Sequence, residues 1–343
     1  MIAWLLRRAV WLGAIAAVGY VGACLFVYDK LSRVRAKCRG LEIPNTPSSF
    51  TLAGVDVSAY QMGPFEEVSF PARADPGVAL AGWWVPAHGP VADPADPGPA
   101  VILVHGLEGC RRDGENLLAA GMLHKHGIGV LLFDLRDHGD STVVDGRYAG
   151  GSDEYRDVLG AWDYLRSQGF PEARIGLIGF SLGAATAMIA FGEDPRIAAL
   201  WADSSFADIG SALRDELRRA GYPAWLAPGG ILAGRYLRGS DLAEKSPLEA
   251  ARRVGTRSVA LTHGALDDRI AVHHIDRLAE AIRAGGGSVE PWVLIHLGHT
   301  QALLQLTAEY EARLAAFFGA ALGPPAEGSR SGAEASAESG AAA

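Results

Sequence analysis

Residues 174–183 read RIGLIGFSLG, and the chain runs on as AATAMIAFG to residue 192. The stretch 174–180 is a short apolar run, too brief for a buried helix and well suited to a strand covered on both faces. Residues 182–192 read as a helix. Between them lies Gly179-Phe180-Ser181-Leu182-Gly183, a serine held on a sharp strand-to-helix turn. Backbone in such a turn is strained, so the positions two residues to either side have no room for a side chain. The pentapeptide alone is weak evidence, since a glycine-rich helix start with a capping serine reads the same way. A serine hydroxyl is also a poor nucleophile at neutral pH. It needs a base, and the base needs an acid to orient it.

Working outward, strands are expected at 66–73, 78–86, 100–105, 129–135, 174–180, 199–203, 258–263 and 289–296. Helices are expected at 113–126, 152–167, 182–192, 273–284 and 300–318. This alternation implies βαβ units and a mainly parallel sheet of eight strands flanked by helices. The first two strands suggest an antiparallel edge hairpin turning at Asp75-Pro76-Gly77. Ser152 is placed as the cap of the next helix, with Val158, Leu159, Trp162 and Leu165 on one face. Residues 206–245 break the alternation and suggest a small helical cap.

Downstream of Ser181, one expected strand ends in His263-Gly264-Ala265-Leu266-Asp267-Asp268 and the last in Ile295-His296-Leu297-Gly298-His299. Open α/β sheets gather functional groups at strand C-termini. Ser, then acid, then His is the chain order this architecture requires. Asp267 is the expected acid and His299 the expected base. Asp268 remains an alternative acid, and Asp267 could instead cap a helix. His296 reads as a histidine within the strand, and His273 and His274 as surface residues. An oxyanion would need two N–H donors. Leu182, next to the serine, supplies one; Leu107, in His105-Gly106-Leu107-Glu108-Gly109, supplies the other. No metal or organic cofactor is implied.

The chain has 343 residues, 49% hydrophobic and 20% charged, with a formal net charge of −8. That apolar content excludes a fully disordered chain, and the acidic balance argues against nucleic acid. Three cysteines cannot build a disulfide scaffold. Ala9–Tyr28 carries no charge and would make a helix about 30 Å long, the thickness of a bilayer core. An uncleaved membrane anchor is expected over residues 1–40, against a cleaved signal peptide or lipid attachment at Cys24. Five Lys/Arg follow the span and two precede it, so the side on which the folded domain lies stays open. Residues 41–61 read as a linker, 62–322 as one domain, and 323–343 as a disordered tail.

Taken together, the motifs resemble those of an α/β-hydrolase-fold serine hydrolase. The chain is most similar to the bacterial, often membrane-anchored branch related to serine aminopeptidases and acylaminoacyl peptidases. The matching residues include Gly82-Trp83-Trp84, His105-Gly106, Asp134-Leu135-Arg136-Asp137-His138-Gly139-Asp140-Ser141, the run Gly179 to Gly183, Ala202-Asp203-Ser204, Ser246-Pro247-Leu248, Asp267 and Gly298-His299. The resemblance implies a triad of Ser181, Asp267 and His299, with Leu107 and Leu182 as oxyanion donors. It carries over no substrate. A small-molecule or peptide acyl substrate is expected, an ester, thioester or amide, with a lean to carboxylic esters. Peptide cleavage, acyl transfer and a non-catalytic tethered binding protein stay open. Glu108 departs from the pattern and would disfavour anionic substrates if it faced the pocket. Cys110 is either a reactive thiol or a buried spectator.

Overall fold

In the computed structural model, residues 1–35, 38, 44–87 and 97–324 are described. All eight expected strands form: β1 (Glu66–Ala72), β2 (Asp75–Val85), β3 (Ala100–Val104), β4 (Gly129–Phe133), β5 (Ile175–Phe180), β6 (Ala199–Asp203), β7 (Ser258–Gly264) and β8 (Trp292–Leu294). Their order across one sheet is β1-β2-β4-β3-β5-β6-β7-β8. From β4 to β8 every pairing is parallel; β1–β2 and β2–β4 are antiparallel. The central strands are wholly apolar because both faces are covered. Ala100, Ile102 and Val104 enter one core, and Val101 and Leu103 the other.

The helices are α1 (Ile2–Ser32), α2 (Gly114–Lys125), α3 (Tyr155–Ser167), α4 (Leu182–Glu193), α5 (Ile209–Arg219), α6 (Leu226–Ala233), α7 (Pro247–Ala251), α8 (His273–Ala284), α9 (Ala302–Gln305) and α10 (Thr307–Leu322). Side chains of α3, α4 and α8 fill the first core, and those of α2 and α10 the second. A third cluster joins α5 and α6 of the cap to Cys24, Val27 and Tyr28 of α1 and to Leu182 beside the serine.

Several expectations are corrected. The edge hairpin turns at Arg73-Ala74, with Ala74 at φ 60°. Asp75-Pro76-Gly77 instead lies inside β2 at a bulge between the pairs Pro71↔Ala79 and Ala72↔Asp75. There the missing proline N–H costs no ladder bond. The helix expected from Ser152 begins at Tyr155. The Glu154 carboxylate takes the N–H groups of Ala149 and Gly151, and Ser152 accepts the Lys245 N–H from the end of the cap. Val158, Leu159, Trp162 and Leu165 are buried as expected.

The stretch expected as a linker is packed where it is described. Phe50, Val57 and Tyr60 join the core over α2, and the Tyr60 hydroxyl donates to Glu311 at 2.8 Å. His274 is fully buried rather than on the surface. Its Nδ1 accepts the Ala207 N–H at 3.0 Å, and burial lowers its pKa to about 4. His296 lies beyond β8 and is exposed. The expected tail lies outside the described residues apart from 323 and 324, as do residues 36, 37 and 39–43 of the basic flank and linker.

The loop after β4 is anchored by a buried ion pair. Arg136 Nη2 and Nε donate to Asp157 Oδ1 at 2.7 and 2.9 Å, and the Arg136 N–H donates to Asp157 Oδ2 at 2.9 Å. Their side chains are 7% and 0% exposed. Removing one partner strands the other in low dielectric. Arg136→Met should therefore lower unfolding stability by about 3–5 kcal/mol, read as a reduced urea midpoint of the detergent-solubilised chain.

Candidate active site

Ser181 stands between β5 and α4 at φ 55°, ψ −119°, a conformation that strains any residue with a Cβ. The surroundings enforce it. The Ser181 N–H donates to the Asp203 carbonyl at 2.9 Å, and its carbonyl accepts the Ala185 N–H at 3.1 Å. A Cβ at Gly179 would overlap the Gly183 carbonyl, and one at Gly183 would overlap the carbonyls of Val104 and His105. Both glycines are thus required sterically.

His299, from the loop after β8, places Nε2 2.9 Å from Ser181 Oγ and Nδ1 2.6 Å from Asp267 Oδ2. A carboxylate can only accept, so His299 Nδ1 carries the proton and Nε2 faces the hydroxyl with a lone pair. Asp267 Oδ1 accepts the N–H groups of Arg269 and Ile270, each at 2.9 Å. Burial pushes the Asp267 carboxyl up, but the hydrogen bond and charge of His299, with the Ile270 N–H, outweigh it and hold the pKa below the usual range. Asp268 is exposed, and the carboxylate hydrogen-bonded to His299 is that of Asp267. His263 lies 3.4 Å from Asp267 Oδ2. Burial lowers its pKa, and its Nε2–H donates to the Ile270 carbonyl at 2.7 Å.

Leu107 and Leu182 both line the cavity at Ser181. Leu182 is the first residue of α4, so its N–H has no intrahelical partner. Two buried histidines fix the loop carrying Leu107. His105 Nε2 accepts the Leu135 N–H at 3.0 Å, and His138 Nε2 accepts the Glu108 N–H at 3.4 Å. Each Nδ1 faces a carbonyl at 2.8 Å, Gly106 for His105 and Arg136 for His138. Burial lowers both pKa values to about 4, so both rings stay neutral and act as hydrogen-bonded struts.

Cys110 is neither a reactive thiol nor a spectator. It forms a disulfide with Cys38, 72 residues earlier, with Cα atoms 6.2 Å apart. The bond ties the chain beyond α1 to the Leu107 loop. Sequence reading missed it because nothing local relates two cysteines at that separation.

Another feature with no assigned role in the sequence lies beneath His299. Thr300 N–H donates to Ser204 Oγ at 3.2 Å, and the Ser204 hydroxyl donates to Asp203 Oδ1 at 2.9 Å. The Tyr310 hydroxyl donates to Asp203 Oδ2 at 2.9 Å. Burial raises the Asp203 pKa to about 6, against the pull of these hydrogen bonds and of His299. In the sequence it showed as an acid ending the apolar run 199–203, within the matching stretch Ala202-Asp203-Ser204.

Two adjoining cavities of about 400 and 380 Å³ share Ser181, Leu107, Glu108 and Arg269. The first has an apolar floor of Leu107, Leu182, Phe206, Ile209 and Leu213. Its remaining lining includes Lys30, Arg33, Arg35, Arg219 and Arg269 against Glu108 and Glu216. Glu108 does face the pocket, but the basic groups outnumber the acidic ones.

The family model of the prolyl oligopeptidase family matches residues 122–325, more than half of the chain. The chain belongs to that family. It is a hydrolase of the serine-hydrolase class with the α/β-hydrolase fold. Over 103 residues it is 35% identical to the thiohydrolase aneE of Aspergillus aculeatus, a match spanning 29% of this chain and 31% of that protein. The solved esterase Pf2001 of Pyrococcus furiosus superposes with a TM-score of 0.60 at 22% identity, covering 80% of this chain and 98% of that one. The acylaminoacyl peptidase of Pyrococcus horikoshii gives 0.53 at 16% identity, covering 78% of this chain and 43% of that one. At these identities the two structures show a shared fold.

Above pH 6 Asp203 carries a negative charge that interacts with His299. Asp203→Asn removes that charge. The acid limb of kcat/KM should move to lower pH, by up to about one unit, as read from a pH–rate profile.

Proposed function

We propose that this hydrolase cleaves carboxylic esters through an acyl-enzyme on Ser181. The observation that supports this reading is the continuous relay from Ser181 Oγ through His299 to Asp267 at the base of an apolar pocket. His299 Nε2 takes the hydroxyl proton as Oγ bonds to the acyl carbon. The N–H groups of Leu107 and Leu182 receive the oxyanion, each such donor being worth about 2.7–4 kcal/mol. Asp267 holds the imidazole in one tautomer and stabilises the imidazolium. The leaving alcohol takes the proton from His299. Water then gives a proton to the same nitrogen, attacks the acyl carbon, and frees the acid and Ser181.

The apolar floor favours acyl chains, which supports esters. The match to a peptidase family favours amide cleavage by the same groups, which forms the second reading. In this proposal residues 62–322 are the catalytic unit, with the cap over its pocket.

We further propose that α1 anchors the chain in a membrane. It has 31 residues, and its most apolar 18-residue stretch has a mean hydropathy of 2.1 with only 11% of it buried against the protein. A helix apolar on all sides and left mostly uncovered by protein requires an apolar surround. The Cys38–Cys110 disulfide supports placing the catalytic unit on the oxidising side, because such bonds persist in oxidising compartments. The Lys/Arg count points the other way. Two of the five following cations are engaged, however: Lys30 donates to the Tyr222 hydroxyl and Arg33 pairs with Asp29.

Ser181→Ala should abolish fluorophosphonate labelling and p-nitrophenyl ester turnover while leaving the melting temperature within about 2 °C, since no core contact is lost. Labelling that persists in this variant would refute the assignment. On the unmodified enzyme, p-nitrophenyl esters of rising chain length beside aminoacyl anilides decide between ester and amide. For the topology, non-reducing peptide mapping of chain taken from membranes should recover residues 38 and 110 in one linked peptide. Free thiols at both positions would place the unit on the reducing side.

A further inference from the structure

The half of α1 nearest the folded unit does not stand clear of it. Tyr20 stacks on Trp225 with ring centroids 5.7 Å apart, and Phe26 meets Tyr222 edge-on at 6.1 Å. Gly229, Gly230 and Gly234 make room for this contact. A Cβ at Gly229 would run into Tyr20 and Cys24, one at Gly230 would press on Val27, and one at Gly234 would come within 2.5 Å of Tyr28. The cap is therefore seated on Tyr20–Tyr28, which is the last twelve ångströms or so, at about 1.5 Å per residue, of the charge-free stretch Ala9–Tyr28.

That seating creates a conflict of depth. If the charge-free stretch fills the hydrocarbon, the cap helix α6 lies at hydrocarbon or interfacial depth as well. Sliding α1 to lift the cap into water would draw Arg7 and Arg8 into the bilayer interior, where arginine is strongly disfavoured. The cap surface has the composition of the first alternative. Trp225, Leu232, Tyr236 and Leu237 are 64%, 52%, 71% and 58% exposed, and two are the aromatic types enriched at membrane interfaces. Arg235 and Arg238 interleave with them and are long enough to reach headgroups.

We infer that the cap is an interfacial element. In this reading Trp225, Leu232, Tyr236 and Leu237 are embedded in the same leaflet that α1 crosses, continuous with the apolar surface of the helix. The pocket over Ser181 has Lys30, Leu31, Arg33 and Arg35 in its wall, the residues that leave the bilayer. It therefore opens at headgroup level, and its substrates are acyl amphiphiles taken from the leaflet rather than from bulk water. The inference rests on the anchor reading of α1, and its substrate clause rests on the ester-hydrolase reading.

The test uses the full chain in phosphatidylcholine vesicles containing phosphatidylglycerol, with Cys24→Ala and the disulfide intact. An environment-sensitive maleimide dye is placed singly at Ile15→Cys, Leu232→Cys, Leu237→Cys or Ser167→Cys, the last on the exposed end of α3. Brominated lipid should quench positions 232 and 237 by at least half as much as position 15, and leave position 167 unquenched. Quenching at 15 but not at 232 or 237 overturns the inference while the anchor stands. No quenching at any position overturns both. Each labelled chain must keep the melting temperature of its unlabelled parent, which does not depend on the hydrolase reading. In the activity arm, Leu232→Glu with Leu237→Glu should lower turnover of vesicle-borne p-nitrophenyl palmitate at least tenfold and leave soluble p-nitrophenyl acetate within twofold. Equal loss on both esters overturns the substrate clause.

Discussion

The backbone of Ser181 is held where an L-residue is strained, and three elements must meet to hold it there. The end of β5 has to approach the first turn of α4 so closely that Gly179 faces the Gly183 carbonyl. The same turn lies against the carbonyls of Val104 and His105 at the end of β3. The Ser181 N–H is taken by the carbonyl of Asp203 at the end of β6. Parallel strands in the order β3-β5-β6 satisfy these contacts together, because each then ends at the same edge of the sheet. The strain is carried by packing on both faces, and its product is a hydroxyl raised above that edge.

Around this point the fold supplies polar groups whose protonation is fixed by what they touch. His105 and His138 are buried, neutral and hydrogen-bonded at both nitrogens. They stiffen the loop of Leu107 without adding charge. Asp267 is buried but kept ionised by His299 and two backbone N–H groups. Asp203, buried with fewer compensating charges, is pushed the other way. Two aspartates at the ends of neighbouring strands thus have pKa values shifted in opposite directions, because one is hydrogen-bonded to an imidazole and the other to hydroxyls.

The N-terminal helix is part of the site's architecture. Its last turns enter the same apolar cluster as the cap and Leu182, and its basic end walls the pocket. The disulfide fastens the chain beyond it to the loop that supplies Leu107. The N-terminal helix, the cap and the loop of Leu107 are thereby linked through contacts and one covalent bond.

The eight strands and the flanking helices could be read from residues alone, since strands buried on both faces must be continuous short apolar runs and the longer stretches between them suit helices, with α3 and α8 burying one face. Ser181, Asp267 and His299 could be picked out as candidates for a related reason: each follows the end of such a run, and the chain order limits the choices. What could not be read are relations between distant residues whose local sequence is neutral. Cys38 and Cys110 carry no mark of their pairing. His274 sits in a polar helix start and is buried only because the base of the cap folds over it. Gly229, Gly230 and Gly234 carry no local mark of a contact, yet in space they are the clearance that lets α1 lie against the cap. Sequence determines which segments must be buried and where the backbone has to turn sharply. Tertiary structure decides which buried surface each segment meets, because that choice is made by shape and distance between elements, which no local pattern encodes.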